Sequence, residues 1–211
     1  MQAALIDGYF TPRQTFTIRG LAQVFGTSPM PVRDALKRLV AEHALQLLPN
    51  RSVIVPLMSR ERFQEILQIR LSLEPMIAAR ATVQATPRLI DAMSHDHDRM
   101  CAAVTTGDAH TYLSSNRSFH FRLYEAAETL LMFSLTRSLW MQIGPYLNQV
   151  FRARDGDGAR QAGHHHTAIL QALRRGDAPA VSQGIWHDLS DAADAILAAN
   201  EFADAVPASV P

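Results

Sequence analysis

The chain has 211 residues, with 20 Lys and Arg against 20 Asp and Glu, 47% hydrophobic residues and a single cysteine. That length suits one or two domains with cores of their own, and Cys101 alone cannot close an intramolecular disulfide, which fits a reducing compartment. No stretch approaches the apolar run needed to span a bilayer and no basic-then-apolar leader opens the chain, so composition argues against a membrane-spanning helix or a secreted disulfide scaffold and for the cytoplasm.

Charge balance over the whole chain hides an uneven distribution. Residues 1–62 hold eight basic side chains (Arg13, Arg19, Arg33, Lys37, Arg38, Arg51, Arg60, Arg62) against four acids (Asp7, Asp34, Glu42, Glu61), an excess suited to a phosphate backbone. Leu5 to Gly8 ends a short helix. Thr17 can cap a two-turn helix carrying Ile18, Leu21, Ala22 and Phe25, which Gly26 stops. Thr27-Ser28-Pro29-Met30-Pro31 then forms a tight connection into a helix with Val32, Ala35, Leu36, Leu39 and Val40 on one face and Arg33, Lys37 and Arg38 off it. Two short helices joined by a Gly-containing turn, the second basic at its start, read as a helix-turn-helix. Leu45 to Leu48 and Ser52 to Pro56 alternate like two strands around Pro49-Asn50-Arg51, a hairpin wing.

From Leu21-Ala22 through Gly26-Thr27-Ser28, Pro31 to Leu36, Leu39 and Pro49-Asn50-Arg51, order and spacing resemble the winged-helix domain of GntR-type bacterial transcription regulators. The resemblance covers about residues 1–57. It implies that the second helix enters the major groove and that Ser28, Arg33, Arg38 and Arg51 meet DNA, where an arginine can grip phosphate or read guanine bidentately. Pro29 stands where the family commonly has Arg, and Ser52 replaces the usual wing glycine.

Beyond Ser59 every apolar repeat is three or four residues, so residues 59–199 should form an antiparallel all-helical bundle, making the chain mainly α. Ser59 can cap a long helix with Phe63, Ile66, Leu67, Arg70, Leu73, Glu74 and Ile77 along one face. Arg70 and Glu74, one turn apart, are either a self-neutralising pair or leave Arg70 to grip a ligand carboxylate. Thr86-Pro87 opens a helix ending near Gly107, and Asp108 or Ala109 starts the next. In that helix Asn116 and His120 lie one above the other inside an apolar stripe of Leu113, Leu123, Tyr124 and Ala127. A buried imidazole and amide each need a polar partner, which is either a metal or anionic ligand or a bond to another helix. Leu130 to Arg154 forms a further helix, broken by Asp155-Gly156-Asp157-Gly158. His166 shares a stripe with Ile169, Leu170 and Leu173, and Asp177 caps the last helix, where His187 falls about 100° from the apolar line of Trp186, Leu189, Ala193 and Leu197. After Asn200 the tail has no periodic face, and residues 200–211 are expected to be disordered.

Arg70-Leu71-Ser72-Leu73-Glu74, Phe119-His120 with Leu123-Tyr124, His166 to Leu170, Gly176-Asp177 and His187 resemble the helical ligand-binding (FCD) domain of the FadR-like branch of GntR regulators. That resemblance implies a divalent metal, commonly Zn, Ni or Mn, held by Asn116, His120, His166 and His187, with a small carboxylate effector beside it. In the family the first of these positions is an Asp; the neutral Asn116 removes a charge and should weaken binding. Asp191 or Asp194 could orient an imidazole from outside the site. Arg70 is expected in an anion site lined by Tyr124, Trp140 or Tyr146.

The function so read is a DNA-binding regulator, in this family most often a repressor, acting as a homodimer on a palindromic operator and answering a small acid. Three histidines on a metal also suit a zinc hydrolase, and a metal-free interaction protein could fill its bundle with the same side chains.

Overall fold

The computed structural model describes residues 1–49, 52–153 and 157–204. It opens with α1 (Gln2–Ile6), β1 (Thr15–Phe16), α2 (Ile18–Val24), α3 (Pro29–Ala41), β2 (Gln46–Leu47) and β3 (Val53–Ile54). Thr17 caps α2, its hydroxyl accepting from the Gly20 N–H at 3.0 Å. Gly26, at φ +58, supplies the left-handed turn into α3. That helix begins at Pro29, two residues before the expected Pro31, because a proline at the first helical position lacks only an N–H that would be unpaired anyway. Val32, Leu36 and Leu39 are its buried stripe, and Arg33, Lys37 and Arg38 stand exposed. The expected wing strands pair antiparallel, Gln46 opposite Ile54 and Leu47 opposite Val53. β1, which was not expected, adds to the other edge of β3; two residues are too few to show a period.

The helical module follows as α4 (Arg60–Thr82), α5 (Pro87–Thr106), α6 (Ala109–Ala126), α7 (Leu130–Ala153), α8 (Asp157–Arg175) and α9 (Ala178–Ala199). The side chains of Ser59, Thr86, Asp108 and Asp177 each accept a backbone N–H at a helix start. Connections of a few residues force antiparallel returns. Helix α4 packs on α9, α9 on α8, and α5 between α6 and α8. No described helix is long and apolar enough to cross a membrane.

Two joins position the site. At the carboxyl end, the ring of Phe202 stacks on Tyr146 at 5.7 Å and Ala203 donates its N–H to the Met58 carbonyl at 2.9 Å. Residues 200–204 therefore pack on the bundle, contrary to the expectation of a disordered tail from Asn200, because the aromatic Phe202 finds an apolar seat; 205–211 lie outside the described residues. At the amino end α1 lies on α7, close enough that a Cβ built on Gly144 would sit 2.1 Å from the Leu5 carbonyl oxygen. Arg117 Nε donates to Asp7 Oδ1 at 2.6 Å, and Asn148 Nδ2 donates to the Gly8 carbonyl at 2.7 Å.

Candidate DNA face and ligand centre

On the basic module, Ser28 occupies the N-cap of α3, but its hydroxyl makes no capping bond. With the exposed Arg33 and Arg38, which form no ion pair among the described residues, it presents polar groups at the start of α3 and along its outer face. Arg51 lies outside the described residues.

In the helical module, α6 and α8 bring His120 and His166 together, each about 1% exposed. The Phe119 ring packs against both imidazoles, 5.4 Å from that of His120 and 4.6 Å from that of His166. Their Nε2 atoms are 3.3 Å apart. Asp188 of α9 completes the group: its Oδ2 is 3.2 Å from His120 Nε2, and its Oδ1 is 3.6 Å from His166 Nε2. Tetrahedral zinc with bonds of about 2.0–2.1 Å places its donors about 3.3 Å apart. These three donors have the spacing and chemistry of one face of such an ion, and they form the sole group of this kind among the described residues.

The electrostatics agree. Desolvation pushes the His166 proton affinity down to about 3, against the attraction of Asp188, so its ring is a neutral imidazole near pH 7. Burial is also the largest influence on Asp188 and opposes its charge, but the neighbouring His166 and His120 rings outweigh it and hold the carboxyl below its ordinary range. A buried carboxylate facing ring nitrogens is an attractive seat for a cation.

His187 takes no part. Its side chain is exposed, stacked 6.1 Å from His165 and 3.5 Å from Gln183 Nε2. The buried line of α9 runs through Val181, Ile185, Leu189, Ala193 and Ile196, not through the half-exposed Trp186, and Asp188 rather than its neighbour falls on the inward side of that line. Sequence reasoning weighed Asp191 and Asp194 and missed Asp188; drawing the apolar line from Val181 and Ile185 would have found it. Asp191 does orient an imidazole, but that of His165, at 2.7 Å.

Asn116 lines a cavity of about 30 Å³ together with Arg70, His120, Trp140 and Asp188, against an apolar wall that includes Phe63, Leu147 and Ile196. That volume admits a water or two. Arg70 Nε is 2.5 Å from Glu74 Oε1, and its guanidinium stacks on Trp140 at 4.9 Å, so Arg70 is paired with Glu74 and also borders the cavity. Tyr124 is fully buried behind the cavity, with its hydroxyl bonded to Glu74 at 2.8 Å. Tyr146 stands elsewhere, accepting the Met58 N–H at 2.6 Å and stacked on Phe202, because its ring fills the second core cluster with Phe63 and Ile66.

Residues 1–55 match the family described as bacterial regulatory proteins, gntR family, and residues 65–191 match the FCD domain. The chain is 28% identical over 184 residues to the HTH-type transcriptional regulator McbR of Escherichia coli K12, covering 87% of this chain and 81% of that protein. It is 25% identical over 186 residues to a probable D-xylose utilization operon transcriptional repressor of Paenarthrobacter nicotinovorans, covering 88% and 80%. The solved structure of E. coli McbR/YncC superposes with a TM-score of 0.82 at 27% identity, covering 93% of this chain and 91% of that one. Those relatives are transcription regulators and not enzymes, and the winged helix and helical bundle have their architecture. The chain belongs to the GntR-type bacterial transcription regulators with an FCD domain.

Proposed function

We propose that the protein is a cytoplasmic repressor that binds a palindromic operator as a homodimer and changes its hold on DNA when a small carboxylate enters the cavity beside His120 and Asp188. The observation that carries this reading is where the cavity lies. Its walls include Asn116 of α6 and Trp140, Ile143 and Leu147 of α7, and the same two helices carry Arg117, Gly144 and Asn148, on which α1 rests. A ligand that spreads α6 from α7 acts directly on the amino-terminal module.

On the DNA side, Arg33 and Arg38 supply charge-assisted contacts to phosphate or guanine, Ser28 positions the start of α3, and Arg51 extends the contact from the wing. One such module reads few base pairs, so two copies on a palindrome provide the specificity.

On the ligand side, His120, His166 and Asp188 would hold a divalent ion such as Zn, Ni or Mn, with the Asn116 amide on the cavity side. A bound ion supplies a positive centre for an anionic oxygen. Asp188 provides the single negative charge that Asn116 lacks, so the weakening expected from Asn116 is offset from α9, and the centre keeps a net charge of about +1. Arg70 has N–H groups beyond those given to Glu74, and Trp140 holds its plane against the cavity wall.

The test selects an operator from a random duplex pool and follows its binding by fluorescence anisotropy, with and without Zn(II) and a panel of small carboxylates. At least one acid should shift operator affinity tenfold or more, and Arg70→Met should lose that shift while keeping the affinity for DNA. An acid response undiminished in Arg70→Met would overturn the assignment.

A further inference from the structure

One buried charge is explained neither by DNA binding nor by the cavity. Glu74, one turn beyond Arg70 on α4, has none of its side chain exposed and gathers four hydrogen bonds. Its Oε1 accepts from Arg70 Nε at 2.5 Å, and its Oε2 accepts from the Tyr124 hydroxyl at 2.8 Å, Trp140 Nε1 at 3.1 Å and Arg70 Nη2 at 3.4 Å. As a stabilising pair alone it would need only Arg70, and buried pairs are commonly no better for stability than apolar residues of the same shape.

The chain of bonds continues. The Tyr124 hydroxyl is also 3.3 Å from His120 Nδ1. A phenol has one proton to donate, while a carboxylate paired with a guanidinium can only accept. The hydroxyl lies 2.8 Å from the Glu74 oxygen but 3.3 Å from the imidazole nitrogen, so its proton has the shorter path to the carboxylate. It therefore goes to Glu74, and the phenol oxygen is left to accept from His120 Nδ1–H. Asp188 Oδ2, 3.2 Å from Nε2, competes for that proton from the other side of the ring; with the proton held on Nδ1 instead, His120 offers the lone pair of Nε2 to a cation seated between it, Asp188 and His166.

We propose that Glu74 is a positioning residue: acting through Tyr124 it fixes the His120 proton on Nδ1, making Nε2 a donor for a divalent cation, while it holds Arg70 and Trp140 in place on the cavity wall. This rests on reading His120, His166 and Asp188 as a metal site. Histidine ligands whose second nitrogen is held in this way lose about 10–100-fold in metal affinity when the holder is removed.

The experiment uses full-length protein stripped with chelator, labelled with ¹⁵N-histidine, and Zn(II) as the probe. Long-range ¹⁵N–¹H spectra should show His120 as the Nδ1–H form in the parent. In Tyr124→Phe, which leaves Glu74 paired with Arg70 and Trp140, that form should no longer predominate and Zn(II) affinity should fall about tenfold or more. Glu74→Gln should lose a similar factor, and the double variant little more than either alone, since both act on one path. A structural role without positioning would lower the melting temperature but leave the tautomer and the Zn(II) affinity of folded Tyr124→Phe unchanged. Three results would overturn the proposal: an Nε2–H form in the parent, unaltered Zn(II) affinity in Tyr124→Phe, or losses that multiply in the double variant. His166→Ala separates the two readings. If the parent binds Zn(II) and His166→Ala does not, the metal site stands whatever Tyr124→Phe shows; if the parent does not bind Zn(II), both fall.

Discussion

Gly144→Ala should detach the DNA-binding module from the bundle. The added Cβ would lie 2.1 Å from the Leu5 carbonyl oxygen and 2.7 Å from the Ile6 Cα and carbonyl oxygen, all backbone atoms that cannot swing aside as a side chain would. Ordinary contact begins at 3.4 Å, so α1 must retreat by 1.3 Å. The Asn148 to Gly8 bond at 2.7 Å and the Arg117 to Asp7 pair at 2.6 Å are anchored on the same α1–α7 and α1–α6 joins and would be stretched beyond hydrogen-bond range by a shift of that size. Overpacking costs about 1–3 kcal/mol, and a weakened charge-assisted bond and amide bond add about 1–2, giving roughly 2–5 kcal/mol. For a chain of this size that is a fall of roughly 4–20 °C in melting temperature. Gly163→Ala is the control: it is also a helical glycine, its nearest neighbour is a His97 ring carbon at 3.9 Å, and losing a helix glycine gains up to about 1 kcal/mol. Calorimetry reads the stability, and amide exchange at Leu5 and Ile6 reads the detachment. Equal melting temperatures for the two variants, with α1 protection unchanged, would refute the close-packed join and with it the mechanical link between cavity and DNA module.

Replacing Arg33 or Arg38 with Ala should weaken operator binding and shallow its salt dependence by about one counterion each; binding curves at two salt concentrations that match the parent would remove α3 from the DNA face. Acid should destabilise the metal-free protein early. The His166 proton affinity falls from 6.5 in the unfolded chain to about 3 in the folded one, so the unfolded chain takes up the proton first; stability is full above about pH 6.5 and declines as pH drops from there toward 3. Asp188, held below its ordinary range, contributes stability that is present above about pH 4 and disappears below it. Urea midpoints in chelator should therefore fall between pH 7 and 5 in the parent and much less in His166→Asn; a parallel fall in both would show that another group governs this range.

The sequence reading of the fold succeeds where a repeat is long or a cap is distinct. Thr17, Ser59, Thr86, Asp108 and Asp177 each start a helix at the expected place because a short oxygen-bearing side chain before an apolar repeat has few other uses. β1 was not legible because two residues carry no period, and the seat of Phe202 was not because it is made by Phe63 and Tyr146, residues far from it in the chain. At the site, His120 and His166 were visible as polar groups interrupting apolar stripes. The residue of α9 that faces His120 and His166 is Asp188 and not the neighbouring His187: a helix turns about 100° per residue, so which of the two points inward depends on which apolar residues define the buried line, and Trp186, large but half-exposed, lies off it. Glu74 was legible only as a partner of Arg70. Its bonds to Tyr124 and Trp140 come from α6 and α7, and no spacing within α4 encodes them.

That one-residue choice gives the most direct test of the ligand centre. Calorimetric titration of chelator-stripped protein with Zn(II) should show one site per chain that is kept in His187→Ala and lost, or weakened by at least tenfold, in Asp188→Asn. Loss of the site in His187→Ala with binding intact in Asp188→Asn would contradict the centre built from His120, His166 and Asp188.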